Sequence, residues 1–332
     1  MDADKVYSEV KSDLKEIDLS PADNVILING DSLELLKRIP DSSVALILTD
    51  PPYHSTKKKN IVGDTVFSKD SEYIDWMEKY AVEWKRILKN SGSVFCFCSS
   101  QMSARLQIMF GKYFNILSEI VWTKPNEPGY DGWKQKMKKE ALRQWYPHSE
   151  RILFMEKSAE GNLFNSYFGT QLTAWRRSAQ MTTIQLAECT GAYGKVNHGG
   201  AIANWEAGRN IPSQEQFQKL KEVLEAAGVT SIPDYEDIIR PFNVSKDVEF
   251  TDVWTFENVR QHKGKHPAEK PVELLRHAIK ATTYPGDIIL DCFSGSGATG
   301  IAANELGRKS ILIEIESGWC SYTIDRISGE TK

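Results

Sequence analysis

Residues 287–300 read DIILDCFSGSGATG: an apolar run, an aspartate near its end, then a glycine-rich turn opening onto small residues. A short apolar run bounded by turn signals marks a buried strand, and the residues after the turn continue as a helix to about Leu306. SILIEIE (310–316) supplies the next strand. Only about 16 residues follow it, too few to finish a sheet. The other strands must therefore come from the N-terminal half.

That half supplies them. VILIN (25–29) leads through Gly30-Asp31 into a helical stretch, Ser32–Arg38, with Leu33, Leu35 and Leu36 available for burial. VALIL (44–48) ends at Thr49-Asp50-Pro51-Pro52-Tyr53. Tyr73, Trp76, Met77, Tyr80, Trp84, Ile87 and Leu88 recur at helical spacing, with Asn90-Ser91-Gly92 as the stop. SVFCFC, FNILSEIVW (114–122) and ERILFMEK (150–157) read as further strands. Apolar runs alternating with amphipathic helices indicate a mostly parallel sheet covered on both faces.

The middle, 158–252, interrupts that pattern. Thr182–Thr190 is helical, Gly191-Ala192-Tyr193-Gly194 connects, and a second helix runs to about Ala207. Ser213 can cap a third helix with Phe217, Leu220, Leu224 and Ala227 on one face. Helix, glycine turn, helix suits a helix-turn-helix, and equally a small helical bundle.

The whole chain has 332 residues, 41% hydrophobic and 26% charged, which excludes collagen-like, disordered and small disulfide-scaffold classes. A formal net charge of -4 excludes a basic field over the whole surface. It leaves local stretches for a polyanion: Lys57-Lys58-Lys59, Lys134 to Arg143, and Arg260 to Lys270. No apolar run of about 18 residues is present to span a membrane, and the polar N-terminus lacks signal-peptide pattern. Five scattered cysteines fit a reducing cytoplasm. Cys96 and Cys98 have no second Cys or His pair at ligand spacing, so no metal is expected.

Gly295, Gly297 and Gly300 match G-x-G-x-x-G after a strand, so a dinucleotide site has to be weighed. Such a turn lets backbone approach a ligand and points helix N-terminal amides at it. Asp291 would repel a pyrophosphate and welcome a cation. Glu314, at the end of the next strand, can accept from two ribose hydroxyls. S-adenosylmethionine has the ribose, adenine and positive groups that suit both acids. The Asp50-Pro51-Pro52-Tyr53 turn sits at a strand's carboxyl end, where open α/β sheets place their sites. Pro52 lacks an N–H and the pair is held extended, leaving the Pro51 carbonyl free to accept. With the Asp50 carboxylate and the flat Tyr53 ring, it matches an exocyclic amino group on a planar base.

Four segments together, NGD (29–31), TDPPY (49–53), HPAEKP (266–271) and LDCFSGSGATG (290–300), resemble the D-P-P-Y DNA amino-methyltransferases that methylate adenine N6. VWTKPN (121–126) and HSERILFMEK (148–157) also look like strand segments of that family. The order, catalytic motif first and cofactor motif last, resembles its permuted β class. The resemblance covers about 25–157 and 251–327. It implies an α/β, Rossmann-like, S-adenosylmethionine-dependent methyltransferase sheet, circularly permuted, with a helical target-recognition insertion. The implied division is 1–157 for the catalytic half, 158–252 for the insertion and 253–332 for the cofactor half.

The same resemblance implies residue roles. Asp50, Pro51, Pro52 and Tyr53 form the catalytic set. Asp31 lies near the cofactor's adenine, Glu314 on its ribose, and Phe293, Gly295 and Gly297 along it. Asp291 falls nearest the methionine end, Asp50 borders the cofactor too, and His266 and Lys270 form a second cofactor segment, with Lys270 meeting the methionine carboxylate. Double-stranded DNA is the implied partner, its target base flipped out against Tyr53. Lys57, Lys58 and Lys59 read as a phosphate clamp. Lys195, Asn197, His198, Asn204 and Arg209 surround the recognition helix. A homodimer and a companion restriction endonuclease are compatible with this type. Cytosine-N4 methylation uses the same chemistry, although that task more often has Ser where Asp50 stands. A regulator that merely binds DNA would need neither turn. A nicotinamide oxidoreductase is disfavoured by Asp291 and by the missing second half-sheet.

Overall fold

Strands that are apolar on both faces need cover on both sides, and the runs at 25–28, 44–48, 288–290 and 311–313 are wholly buried. A computed structural model describes residues 2–54, 67–125, 140, 143, 145, 148–157, 166–193, 200–244, 250–260 and 264–329. In it the chain runs α1 (Ala3–Asp13), β1 (Val25–Asn29), α2 (Ser32–Leu36), β2 (Val44–Thr49), α3 (Asp70–Ile87), β3 (Leu88–Cys98) and α4 (Ser103–Phe110). The strands β4 (Phe114–Thr123) and β5 (Ser149–Lys157) follow. Then come α5 (Tyr167–Ser178), α6 (Thr183–Thr190), α7 (Gly200–Glu206), α8 (Gln214–Ala226) and α9 (Tyr235–Ile238). The last part is β6 (Val253–Thr255), α10 (Val272–Thr282), β7 (Ile288–Asp291), α11 (Ala298–Glu305), β8 (Lys309–Glu314) and α12 (Ser317–Ile327).

The described strands make one sheet in the order β1-β8-β7-β2-β3-β5-β4-β6. Every pairing is parallel except those of β5, which runs against both β3 and β4. One face is packed by α1 and α3 through Tyr7, Tyr73, Met77 and Trp84, the other by α10 and α11 through Leu274, Ala278 and Ala302. The α/β expectation therefore holds, with one antiparallel strand in a mixed sheet.

Two local readings need correction. The third strand begins at Leu88, directly after α3, and Asn90-Ser91-Gly92 lies inside it. Leu88 is buried and pairs with Val44, and a register irregularity between Val44 and Leu46 absorbs the extra residues. Burial of Leu88 in the sheet thus outweighs the turn signal. On α8, Phe217, Leu220 and Leu224 are buried as expected, but Ala227 is its exposed C-cap, and Val223 packs there instead.

Helices α5 to α9 bury a cluster of their own, centred on Phe168, Leu172, Trp205 and Phe217. Thr182 and Ser213 cap α6 and α8 with reciprocal capping boxes, and Gly191 ends α6 in the left-handed conformation at φ 66°. The Arg176 guanidinium reaches across to Glu206 with Nε···Oε1 at 2.6 Å, tying α5 to α7.

Candidate active site

Parallel strands end along one edge of the sheet, and that edge carries the chemistry. β2 ends at Thr49 and β7 at Asp291. The Thr49 hydroxyl donates to Asp291 Oδ1 at 2.8 Å and accepts from the Cys292 amide at 3.2 Å. The Asp50–Tyr53 turn and the glycine turn are thereby fixed to each other. Together they line one cavity of about 450 Å³, within the roughly 300–1,000 Å³ usual for small-molecule sites.

The glycine turn takes backbone angles that suit glycine. Gly295 has φ 47° and Gly297 φ 71°. A Cβ on Gly295 would stand 3.0 Å from the His266 ring, and one on Gly297 would strike Thr323. His266 accepts from the Ala268 amide at 3.3 Å and meets Trp319 edge-on at 4.5 Å. Glu314 takes the Gly295 amide on Oε2 at 2.7 Å and the Glu316 amide on Oε1 at 2.8 Å. Burial pushes its carboxyl up against those two bonds. Asp31 caps α2 by accepting from the Leu33 amide at 2.8 Å. Phe293 packs on Trp76 and Tyr80, with ring centroids 5.7 and 5.0 Å away, and all three line the cavity.

On the other wall lies a buried charge cluster. Asp50 Oδ2 accepts from the Lys270 ammonium, which also stands 3.4 Å from Glu150 Oε2. The Tyr53 hydroxyl donates to Glu150 Oε2 at 2.9 Å, and Lys124 donates to Glu150 Oε1. Asp50 Oδ1 is sealed from solvent and has no hydrogen-bond partner among the described residues. Burial raises the Asp50 carboxyl, partly opposed by Lys270 and reinforced by Glu150. Burial also works against the Glu150 charge, but Lys270 and Lys124 overcome it and hold that carboxyl down at about 2. Burial pushes the Tyr53 phenol up, with the two carboxylates adding to it. Asp291 is pushed by burial up to about 6, against hydrogen bonds from Thr299 and Thr49.

The fold therefore brings Asp31, Asp50, Pro51, Pro52, Tyr53, His266, Lys270, Asp291, Phe293, Gly295 and Glu314 to one cavity, with Gly297 just behind its turn. Lys270 is engaged by the Asp50 carboxylate and by Glu150. Arg209 is exposed after α7 and donates to Asn204 at 3.2 Å. Lys57, Lys58, Lys59, Lys195, Asn197 and His198 lie outside the described residues. Among the described residues, no group of His, Cys, Asp and Glu is placed to hold a metal, and no helix is long and apolar enough to cross a membrane. All five cysteines are free.

Glu150, Lys124, Trp76 and Tyr80 carry no site role in the sequence reading. For the first two the deciding fact is strand direction, which no local pattern states. β5 runs antiparallel, so its first residues lie at the same edge where the parallel strands stop. β4 runs parallel to β6 and ends there too, leaving Lys124 beside Glu150.

Comparison with known proteins places the chain in a family and a fold. Residues 44–325 match the family model described as DNA methylase. The chain is 31% identical over 304 residues to the DNA adenine methyltransferase YhdJ of Escherichia coli (strain K12), covering 91% of this chain and 82% of that protein. It is 24% identical over 317 residues to the type II methyltransferase M.HinfI of Haemophilus influenzae, covering 91% and 67%. Among solved structures, the cytosine-N4-specific PvuII DNA methyltransferase superposes with a TM-score of 0.56 at 18% identity, covering 92% of this chain and 86% of that one. The S-adenosyl-L-methionine complex of a Thermus thermophilus protein, TTHA0409, gives 0.51 at 17% identity, covering 92% and 93%. At such identity those two likenesses speak for the fold. On the family match and the relative matched over most of its length, the chain belongs to the DNA methylase family.

Proposed function

We propose that this protein transfers a methyl group from S-adenosylmethionine to adenine N6 of a base turned out of duplex DNA. The observation that carries the reading is the meeting, in one cavity, of the Asp50-Pro51-Pro52-Tyr53 turn with the Gly295–Gly297 turn and Glu314. The residues fit the cofactor. Glu314 is anchored by two backbone amides, and each of its oxygens keeps a lone pair for a ribose hydroxyl. Trp76, Tyr80 and Phe293 form an aromatic wall for adenine. Asp291 is a buried acid suited to a cationic ligand.

S-adenosylmethionine supplies an electrophilic methyl on a positively charged sulfur. The protein's part is to make a poor nucleophile competent. The adenine amine spreads its lone pair into the ring. The Asp50 carboxylate and Pro51 carbonyl accept from its two hydrogens, which concentrates that pair on nitrogen. The Tyr53 ring holds the base flat, and its hydroxyl is pinned to Glu150, which fixes the ring plane. Positioning and preset electrostatics supply the rate. Extracting the base costs a few kcal/mol of stacking and pairing.

On this reading the late position of β7 in the chain, beside β2 in the sheet, reflects a permuted β-class order. Residues 158–252 serve target recognition, with Asn204, Arg209 and their neighbours at the groove. Asp50 and the adenine-methylating relative favour adenine over cytosine N4. The test is incubation of unmodified DNA with labelled S-adenosylmethionine, followed by identification of the modified nucleoside. N6-methyladenine is expected; N4-methylcytosine, or label in protein alone, overturns the reading.

A further inference from the structure

The adenine amine must reach Asp50, yet in this structure Asp50 is not open to it. Its Oδ1 is sealed and Oδ2 carries the Lys270 ammonium. That ammonium sits over the Tyr53 ring at 5.4 Å and the Phe97 ring at 5.2 Å, against the aromatic surface meant for the base. A nitrogen bearing hydrogens, bonded to Asp50 and set against Tyr53, occupies the seat of the substrate amine. Its second carboxylate is already close: Glu150 Oε2 lies 3.4 Å from Lys270 Nζ.

We propose that Lys270 is a placeholder that holds the amine seat on Asp50 and passes to Glu150 when the target base enters. The inference rests on Asp50 being the amine acceptor. A buried ammonium cannot be released into a low-dielectric pocket without a partner, because an unpaired buried charge is costly. Glu150 removes that cost, since it is fixed by Tyr53 and Lys124 and needs no movement to receive Lys270. After the exchange Glu150 holds both ammonium groups and Asp50 accepts from the entering amine, so neither ammonium is left without a carboxylate. Lys270 also opposes, while the site waits, the burial that raises the Asp50 carboxyl. The other titratable groups facing Asp50 are Tyr53 on its own turn, Asp291 at the end of β7, and Cys96 and Cys98 on β3. Lys124 acts through Glu150. Among these groups, only Lys270 directly offsets burial at Asp50 with positive charge.

The test uses the full chain in single-turnover methylation of duplex DNA, with cofactor affinity measured by calorimetry. Glu150→Gln keeps an acceptor for Tyr53 but loses the second charge. It is expected to slow transfer about tenfold or more across the pH range, with cofactor affinity within about threefold of wild type. Lys270→Met removes the charge that favours the Asp50 carboxylate, so Asp50 moves up and the acidic limb of the rate profile follows by about one pH unit or more. In the double variant, Glu150→Gln adds no further loss, because no ammonium remains to be moved. Equal losses in both backgrounds overturn the exchange. A cofactor affinity reduced about tenfold in Lys270→Met, with an unshifted profile, overturns it too and returns Lys270 to the methionine carboxylate. Asp50→Ala, which leaves no acceptor oxygen, runs alongside: turnover retained there shows that the acceptor reading has failed, separately from Lys270.

Discussion

The Thr49 hydroxyl donates to Asp291 Oδ1 across 2.8 Å, joining two motifs that stand 242 residues apart in the chain. One short side chain at the end of β2 thus sets the distance between the turn that would take the base and the turn that would take the cofactor. Thr299 closes Asp291 from the opposite side at 2.6 Å, so this acid is held by two hydroxyls and the Phe293 amide.

Asp291 makes stability depend on pH in an unusual direction. Its folded value, raised by burial to about 6, lies above its ordinary 3.8. Its stabilising contribution is therefore full below the ordinary value and is lost as pH rises through about 6. Asp291→Asn, which never ionises, is expected to gain on wild type by roughly 1.4 kcal/mol per pH unit inside that window. Urea midpoints at about pH 4, 5.5 and 7 measure the gap. A gap that stays constant with pH would return this carboxyl to its ordinary range.

Asp50→Ala is expected to cut methyl transfer by far more than tenfold while the protein stays folded. The carboxylate contacts the amine as it becomes a nucleophile, so the loss falls on the transition state. Tenfold corresponds to only about 1.4 kcal/mol of barrier. Turnover above a tenth of wild type, in a variant with an unchanged melting curve, contradicts the role.

Glu314→Ala should weaken cofactor binding and leave DNA binding intact. It also frees the amides of Gly295 and Glu316, so the turn itself loosens. Calorimetry with S-adenosylmethionine, paired with a DNA titration, reads both effects. Unchanged cofactor affinity with lost DNA binding would place the cofactor elsewhere.

Arg209→Ala combined with Asn197→Ala should reduce binding to the target sequence much more than to random duplex. Base-edge contacts discriminate by roughly 1–3 kcal/mol each. Replacing Lys57, Lys58 and Lys59 by Ala should instead weaken all sequences alike and flatten the salt dependence. Titrations of target and scrambled duplexes at two salt concentrations separate the patterns. A uniform loss for the Arg209 pair means the insertion grips backbone only.

Motif-bearing strands were legible because their burial is written in composition: four wholly apolar runs could only be interior strands. Asp50, Glu314 and the glycine turn were legible because each stands at the end of such a run. What escaped depends on pairing. Glu150 reaches the site because β5 alone runs antiparallel, and no local pattern states a strand's direction. Lys270 falls in a segment whose resemblance suggested a cofactor contact, whereas its ammonium finds the two buried carboxylates nearby. Trp76 and Tyr80 read as helix core at their spacing, and Phe293 draws that same face to the cavity rim.

The central place of β2 has a consequence for how the molecule comes to be. It pairs with β3 on one side, from the same half of the chain, and with β7 on the other, Leu46 opposite Ile289. As the ribosome delivers the chain, β2 and β3 are available early, but the second flank of β2 stays bare until residues 288–291 emerge. For all that time an apolar strand presents open N–H and C=O groups, the template on which unrelated chains pair. Closing the sheet is a pairing across most of the sequence, the slow kind of step. Helices α5 to α9, with a core of their own, can gather meanwhile. The same adjacency that unites the two halves of the site makes the nascent protein most vulnerable just before it becomes an enzyme.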